Sequence, residues 1–317
     1  MFSKHIRSRG FVGAGKWISD PKPWPHSERP ANLIAAGDRE AFAETIGLAV
    51  HGVAYDFDHL DSFGGAQVGL AGDWHGNTRW ALKKLERFHR DGIRTILHLG
   101  DFGLWPNQGG AKFLRRIDEA CLEYDQTIYV TDGNHEDHAR LASVEPYAGK
   151  RWVSDRVAFF ERGHRWRWQN QTFVSLGGAA SVDFEDRAEG RSWWRDEVAS
   201  TADVERAVRN GRADVLLTHD APAPSTPTIE QIIRTNPLGF SERALEYAAE
   251  SRVRVTETFH ALQPVLNVHG HMHYGERRKR HIEGFPHLTE TIALSCDNDE
   301  GNIAILDVLD LRVRPID

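Results

Sequence analysis

The sequence predicts an α/β protein built on parallel strands, and three observations carry that expectation. From Ala66 onward, short apolar runs alternate with amphipathic stretches of helical period, the pattern of strand, helix, strand. The apolar runs are nearly continuous rather than alternating, as in strands buried on both faces. The chain has 317 residues, 40% of them hydrophobic and 27% charged, so it can fill a full core.

Residues 1–65 stand apart. The stretch "SDPKPWPHSERP" is proline-rich and polar, and the region reads as an N-terminal extension of unknown role before a domain spanning 66–317. Then "AQVGLAG" reads as a strand. "NTRWALKKLERFHRDG" reads as a helix with Ala81, Leu85 and Phe88 on one stripe and Gly92 just past its end. "RTILHLGD", "GGAKFLRRIDEACLEY" and "QTIYVTDGNHED" continue as strand, helix and strand. The middle, "RVAFFERGHRWRWQNQTFVSLGG", breaks into three short runs that suit antiparallel hairpins. A helix over "TADVERAVRNG", capped by Thr201 or Asp203, leads to the buried strand "ADVLLTHD". A partly helical region precedes "PVLNVHGHMH", and "LTETIALSC" and "NIAILDVLDLRV" close the chain.

A formal net charge of −7 argues against coating nucleic acid or an anionic membrane by bulk electrostatics. Any phosphate must be attracted locally. Cys121 and Cys296 lie in no CxxC pair and read as small buried hydrophobes. No segment has the apolar length that spans a bilayer, so a cytoplasmic protein is expected. Oligomeric state leaves no mark in the sequence.

The chemistry gathers where strands end. "GLAGDWHGN" supplies Asp73 and His75, "LHLGD" supplies Asp101, "YVTDGNHED" supplies Asn134 and His135, "LLTHD" supplies His219, and "LNVHGHMH" supplies His271 and His273. Carboxyl ends of parallel strands form one rim, where ligands bind. Groups spread over some two hundred residues of chain can therefore meet. Imidazoles mixed with carboxylate and amide oxygens suit Mn, Fe or Zn better than Ca or Mg. There are more donors than one ion needs, and two ions sharing a carboxylate, roughly 3.5 to 4 Å apart, is the simplest arrangement. Two aspartates cancel only half the charge of two divalent cations. The site stays cationic inside an acidic protein, and the metals attract the phosphate.

In order along the chain, "GDWHGN", "GD" at Gly100, "GNHE" at Gly133, His219 and "GHMH" at Gly270 resemble the five-block signature of the calcineurin-like metallophosphoesterase family, over roughly Gln67 to Val308. The resemblance implies two packed mixed β-sheets flanked by helices, a four-layer sandwich. It implies Asp73, His75 and His273 on a first metal, Asn134, His219 and His271 on a second, and Asp101 bridging both. His135 would sit beside the substrate phosphate, stabilising charge or protonating the leaving oxygen. A metal-bridging hydroxide would attack a small phosphomonoester or phosphodiester in line. Where the protein serine/threonine phosphatase branch continues its second block with an acidic residue and an arginine, this chain has "GDFGLWPNQGG"; "GHMH" is more typical of the phosphodiesterase-like branch.

Each residue has a blander reading. Asp73 and Asp101 alone would be turn aspartates, His219 alone a buried histidine, and Glu136, Asp137 and His138 a solvated turn. Glu136 or Asp137 could instead orient an imidazole. His98 and His269 read as packing or as support for the ligands. The stretch "GGAASVDFEDRAEGRSWWRDE" is similar to a segment of bacterial and phage members of the family. It is expected to fold over the site, with Asp183, Arg187 and Arg191 as substrate contacts. The alternative is an exposed charged loop with Trp193 and Trp194 packed beneath it. Two other functions compete: a non-catalytic scaffold, for which no ligand is missing, and a nuclease for short nucleic acid, against which the acidic balance speaks.

Overall fold

A computed structural model describes Phe63 and residues 65–316. The expected N-terminal extension falls almost wholly outside the described residues. Thirteen strands form two mixed sheets, seven and six strands wide. In the first, β1 (Gln67–Ala71), β2 (Thr95–His98), β3 (Thr127–Val130) and β5 (Val157–Phe160) run parallel. β4 (Lys150–Trp152) borders β5, while β12 (Ile303–Asp307) and β13 (Arg312–Pro315) extend the other edge beside β1. In the second, β7 (Gln171–Leu176), β8 (Val215–Thr218), β9 (Leu266–His269) and β11 (Leu288–Ala293) run parallel. β6 (His164–Trp168) and β10 (Glu276–His281) are its antiparallel edges.

The layers follow from strand period. Val68, Leu70, Leu97 and Leu99 face across to Val215, Leu217, Leu266 and Val268 of the other sheet, and together they form the core between the sheets. The intervening residues, Ala71 and Ile96, pack under α1 (Thr78–Arg90) and α2 (Gln108–Tyr124). Leu216 and Val174 pack under α4 (Thr201–Val208) and α6 (Glu242–Leu262), after the short α3 (His138–Ser143) and α5 (Pro227–Thr235) are counted. The central parallel strands are buried on both faces, which is why they read as continuous apolar runs, while the edge strands β10 and β13 are largely exposed. Gly69 is part of that fit: a Cβ there would lie 2.7 Å from the Phe88 ring. The expected fold, two mixed sheets flanked by helices, is the observed one.

Two local expectations are corrected. Of the three middle runs only β6 and β7 form a hairpin; β5 joins the first sheet, where its Val157, Ala158, Phe159 and Phe160 are buried. The cap of α4 is Ser200, whose side chain accepts from Asp203 N while the Asp203 carboxylate accepts from Ser200 N, a reciprocal capping box. For α1 the expected stripe holds, with Ala81, Leu85 and Phe88 buried and the Asn77 side chain accepting from Trp80 N. No helix among the described residues is long and apolar enough to cross a membrane.

Candidate metal centre

All eight parallel strands deliver residues to one place. β1 leads to Asp73 and His75, β2 to Asp101, β3 to Asn134 and His135, β5 to Arg162, β7 to a flap over 178–200, β8 to His219, β9 to His271 and His273, and β11 to Asp297. Between Asp73 and His75, Trp74 is fully buried against His98 and Phe102 and anchors the loop in the core. That frees its two neighbours to face the site.

The predicted ligands converge. Asp73, His75, Asp101 and His273 each offer a ligand atom within 4.8 Å of the others. His75 Nε2 lies 3.4 Å from Asp101 Oδ2, and His273 Nε2 lies 3.4 Å from Asp73 Oδ1. On the other side of Asp101, its Oδ1 lies 3.4 Å from His219 Nε2, which is 3.1 Å from Asn134 Oδ1. The His219 and His271 rings are 5.0 Å apart, and His271 N donates to Asp73 at 3.0 Å. Asp101 thus lies between two groups of donors, as a bridging ligand must.

The backbone is bent to achieve this. Asp73, His75, Asp101, His271 and His273 have φ between 37° and 65°, left-handed values that cost a non-glycine residue about 1–3 kcal/mol each. Five of the twelve non-glycine residues with positive φ among the described residues are predicted ligands. Strain concentrated there points to function. At Gly133 the approach is so close that a Cβ would sit 2.3 Å from Asp101 Oδ1.

The proton inventory fits a cation. His219 Nδ1 donates to Leu99 O at 2.5 Å, so the neutral ring turns an Nε2 lone pair toward two oxygens, those of Asp101 and Asn134. His75 Nδ1 likewise donates to Asp297 Oδ1 at 3.0 Å and leaves Nε2 facing Asp101. Acceptors facing acceptors need a positive charge between them. Without a metal a proton supplies it: burial alone would lower His219, yet the Asp101 charge and hydrogen bond push it up to about 10. Burial would raise Asp101, but His135 and His219 hold it well below the usual carboxylate range. His271, buried and next to His219, is lowered well below the ordinary histidine value. The mixed imidazole, carboxylate and amide set is the donor chemistry of a transition-metal pair.

His135 lies beside the cluster, its Nε2 3.9 Å from Asp101 Oδ2 and 3.4 Å from Arg187 Nη2. Burial, reinforced by Arg187, lowers its ring to about 4 against the pull of Asp101. Asp183 holds Arg187 through two hydrogen bonds of 2.5 and 2.8 Å. Of the three expected flap contacts, Arg187 comes up to His135, and Asp183 stands behind it as its partner. Arg191 stands exposed, with no side-chain partner among the described residues.

Asp297, Glu197 and Ser181 escaped the sequence reading, and Glu136 and Asp137 stood there between two readings. Glu136 is no solvated turn residue: it is fully buried and accepts from Phe102 N at 2.6 Å and Gly133 N at 2.9 Å, tying the second and third loops together. Asp137 caps α3, accepting from Arg140 N at 3.0 Å. His98 packs between Trp74 and Phe102, and His269 bonds Ser225 Oγ at 3.0 Å. Asp297 orients His75 and also accepts from Asn77 Nδ2 at 2.6 Å. Its one sequence signal was its place at the end of "TIALSC", a strand parallel to β9. Glu197 and Ser181, in the flap, connect to Asn134.

A family model described as calcineurin-like phosphoesterase matches residues 66–275. Among curated proteins none matches the chain significantly. The fold is similar to that of the protein TT1561 of Thermus thermophilus, at 13% identity and TM-score 0.49, covering 80% of this chain and 98% of that one. It is also similar to a dimetal phosphatase from Danio rerio, at 10% identity and TM-score 0.45, covering 76% and 92%. An archaeal phosphodiesterase aligns at 14% identity and TM-score 0.38, covering 79% and 98%.

Proposed function

The chain belongs to the calcineurin-like phosphoesterase family, and on that premise we propose that it is a two-cation hydrolase of small phosphomonoesters or phosphodiesters. The observation that carries this reading is the left-handed convergence of Asp73, His75, Asp101 and His273 around a common centre, the two aspartates buried and the two imidazoles nearer the surface, with Asn134, His219 and His271 beyond Asp101. Asp73, His75 and His273 would hold one cation, Asn134, His219 and His271 the other, with Asp101 shared. Mn, Fe and Zn all suit this donor set. When bound, such ions act as Lewis acids toward a phosphoryl oxygen and make water acidic enough to attack phosphorus.

The remaining residues position and stabilise. With its ring lowered to about 4, His135 meets substrate as a neutral imidazole and donates an N–H hydrogen bond to a phosphoryl or leaving oxygen. Arg187, held by Asp183 and Ser192 O, offers its charge and an Nη2 N–H beside His135 to the same phosphate. Arg191 takes no part in this reading. The two unpaired cysteines suit a reducing compartment such as the cytoplasm.

The test is hydrolysis of nitrophenyl phosphate and bis(nitrophenyl) phosphate after loading with Mn, Fe or Zn. Turnover of at least one ester is expected, abolished in Asp101→Ala and sharply reduced in His135→Ala; the ratio of the two esters identifies the substrate class. A folded, metal-loaded protein inert toward both esters would refute the proposal.

A further inference from the structure

We infer that Glu197, acting through Ser181, sets which end of the Asn134 amide faces the metal centre, and so makes binding of the second cation depend on the flap. The inference rests on the reading of Asn134 and His219 as ligands of one cation.

Glu197 is fully buried at the end of an otherwise exposed, charged stretch. Its two oxygens have different tasks. Oε1 accepts from Ser181 N at 2.6 Å, Trp193 Nε1 at 2.9 Å and the Tyr247 hydroxyl at 3.0 Å, which ties the flap to itself and to α6. Oε2 accepts from the Ser181 hydroxyl at 2.8 Å. Burial pushes Glu197 up to about 7; above that pH it is a carboxylate with no proton to give, so the single hydroxyl proton of Ser181 goes to Glu197. The Ser181 oxygen can then only accept from Asn134, at 3.0 Å. The group pointed at Ser181 must therefore be the amide NH2, and the amide oxygen must point the other way, toward His219 Nε2 at 3.1 Å. Rotating the amide would instead present an NH2 to the position a cation needs, and no cation binds there through a donor.

The Ser181 hydroxyl thus fixes the polarity of the Asn134 amide. Its anchor is firm. The flap's far end is pinned by Arg162, which donates twice to Asp132 Oδ2, at 2.9 and 2.6 Å, and to the carbonyls of Asp196, Glu197 and Val198. Asp132 lies two residues before Asn134. The loop bearing the ligand and the flap bearing its orienting acid are thus held as one piece.

The relay makes an unusual prediction about an isosteric change. In Glu197→Gln the amide oxygen can keep the three Oε1 donors, while its NH2 donates to Ser181 Oγ. The Ser181 proton then has an acceptor only if the Asn134 amide turns round; without the turn a buried hydroxyl proton is left unpaired. We expect Glu197→Gln to keep the wild-type melting temperature without metal and to bind the first cation normally. The second cation should bind about 10–100-fold more weakly, the usual scale for a lost orienting partner. Adding Asn134→Asp should restore it, because a carboxylate presents an acceptor from either end. Ser181→Ala, which removes the relay without reversing it, should lose less than Glu197→Gln.

Calorimetric titration of the full chain with Mn2+ and Zn2+ at mildly alkaline pH, with elemental analysis, reads all of these. Wild-type affinity for the second cation in Glu197→Gln overturns the inference. So does a loss that Asn134→Asp fails to restore. If Glu197→Gln does not fold, wild-type affinity in Ser181→Ala overturns it instead. A wild-type protein that binds fewer than two cations refutes the proposed function, a separate outcome.

Discussion

The strand-end rim and the flap solve the same problem, fixing polar side chains around one centre, by different means. At the rim each ligand is placed by its own strand, with left-handed backbone at Asp73, His75, Asp101, His271 and His273 and a Cβ-free glycine at the tightest approach. The flap belongs to neither sheet and has one isolated β-bridge, Glu189 to Trp193. Residues 178–200 are organised by the buried Glu197, which gathers donors inside, and the half-buried Arg162, which clamps the end. The rim is therefore redundant in structure but irreplaceable in chemistry, and the flap the reverse. Damage at the rim should remove cations from a folded protein; damage to the flap should loosen the protein or slow turnover, with a cation weakened only where the Glu197–Ser181 relay to Asn134 is broken.

The largest effect expected is at the shared ligand. Asp101→Ala should lower kcat on the order of 10^4-fold and abolish paired cation binding, checked by steady-state kinetics and elemental analysis. Next comes the flap clamp: Arg162→Ala strands the buried Asp132 carboxylate and should cost about 3–5 kcal/mol in a denaturant melt, with the ligands untouched. Arg187→Ala should lower kcat/KM by roughly 100-fold through lost phosphate contact, with two cations still bound. Asp297→Ala frees the His75 ring and should weaken the first cation about 10-fold by calorimetry, the mildest rim lesion. If Arg187→Ala lost cations, or Asp297→Ala left affinity unchanged, the division between rim and flap would be wrong.

A pH test sharpens the rim side. His219 is pushed up to about 10, so in the metal-free protein at neutral pH it carries a proton that a cation must displace. Cation binding should release protons and tighten as pH rises toward about 10. The same raised value means that the imidazolium stabilises the metal-free fold at neutral and lower pH, and that this contribution fades as pH climbs through about 10. Titration in two buffers of unlike ionisation heat measures the release; equal heats would contradict the charge assigned to His219.

The rim was legible in the sequence because its logic is local: a continuous apolar run says strand, and a polar cluster straight after it says strand end. That reasoning placed Asp73, Asp101, Asn134, His219 and His271 where the structure has them. The flap was half legible. Its resemblance pointed to Asp183 and Arg187, but Arg191 shares their composition and stays in solvent. Glu197 was hidden because "SWWRDE" gives no hint which acid turns inward; that is decided by Ser181, Trp193 and Tyr247, the last fifty residues away in sequence. Asp297 was hidden for a similar reason: a lone acid after "TIALSC" has meaning only once β11 is known to lie parallel to β9. The sheet assignment of β5 failed because apolar runs declare burial and not partners.

The central claim is that Asp101 bridges two cations held by side chains from both sheets. A crystal structure of metal-loaded protein with anomalous scattering tests it directly. The account predicts two peaks roughly 3.5–4 Å apart, one on either side of the Asp101 carboxylate. A single peak, or two peaks that do not share Asp101, would contradict it.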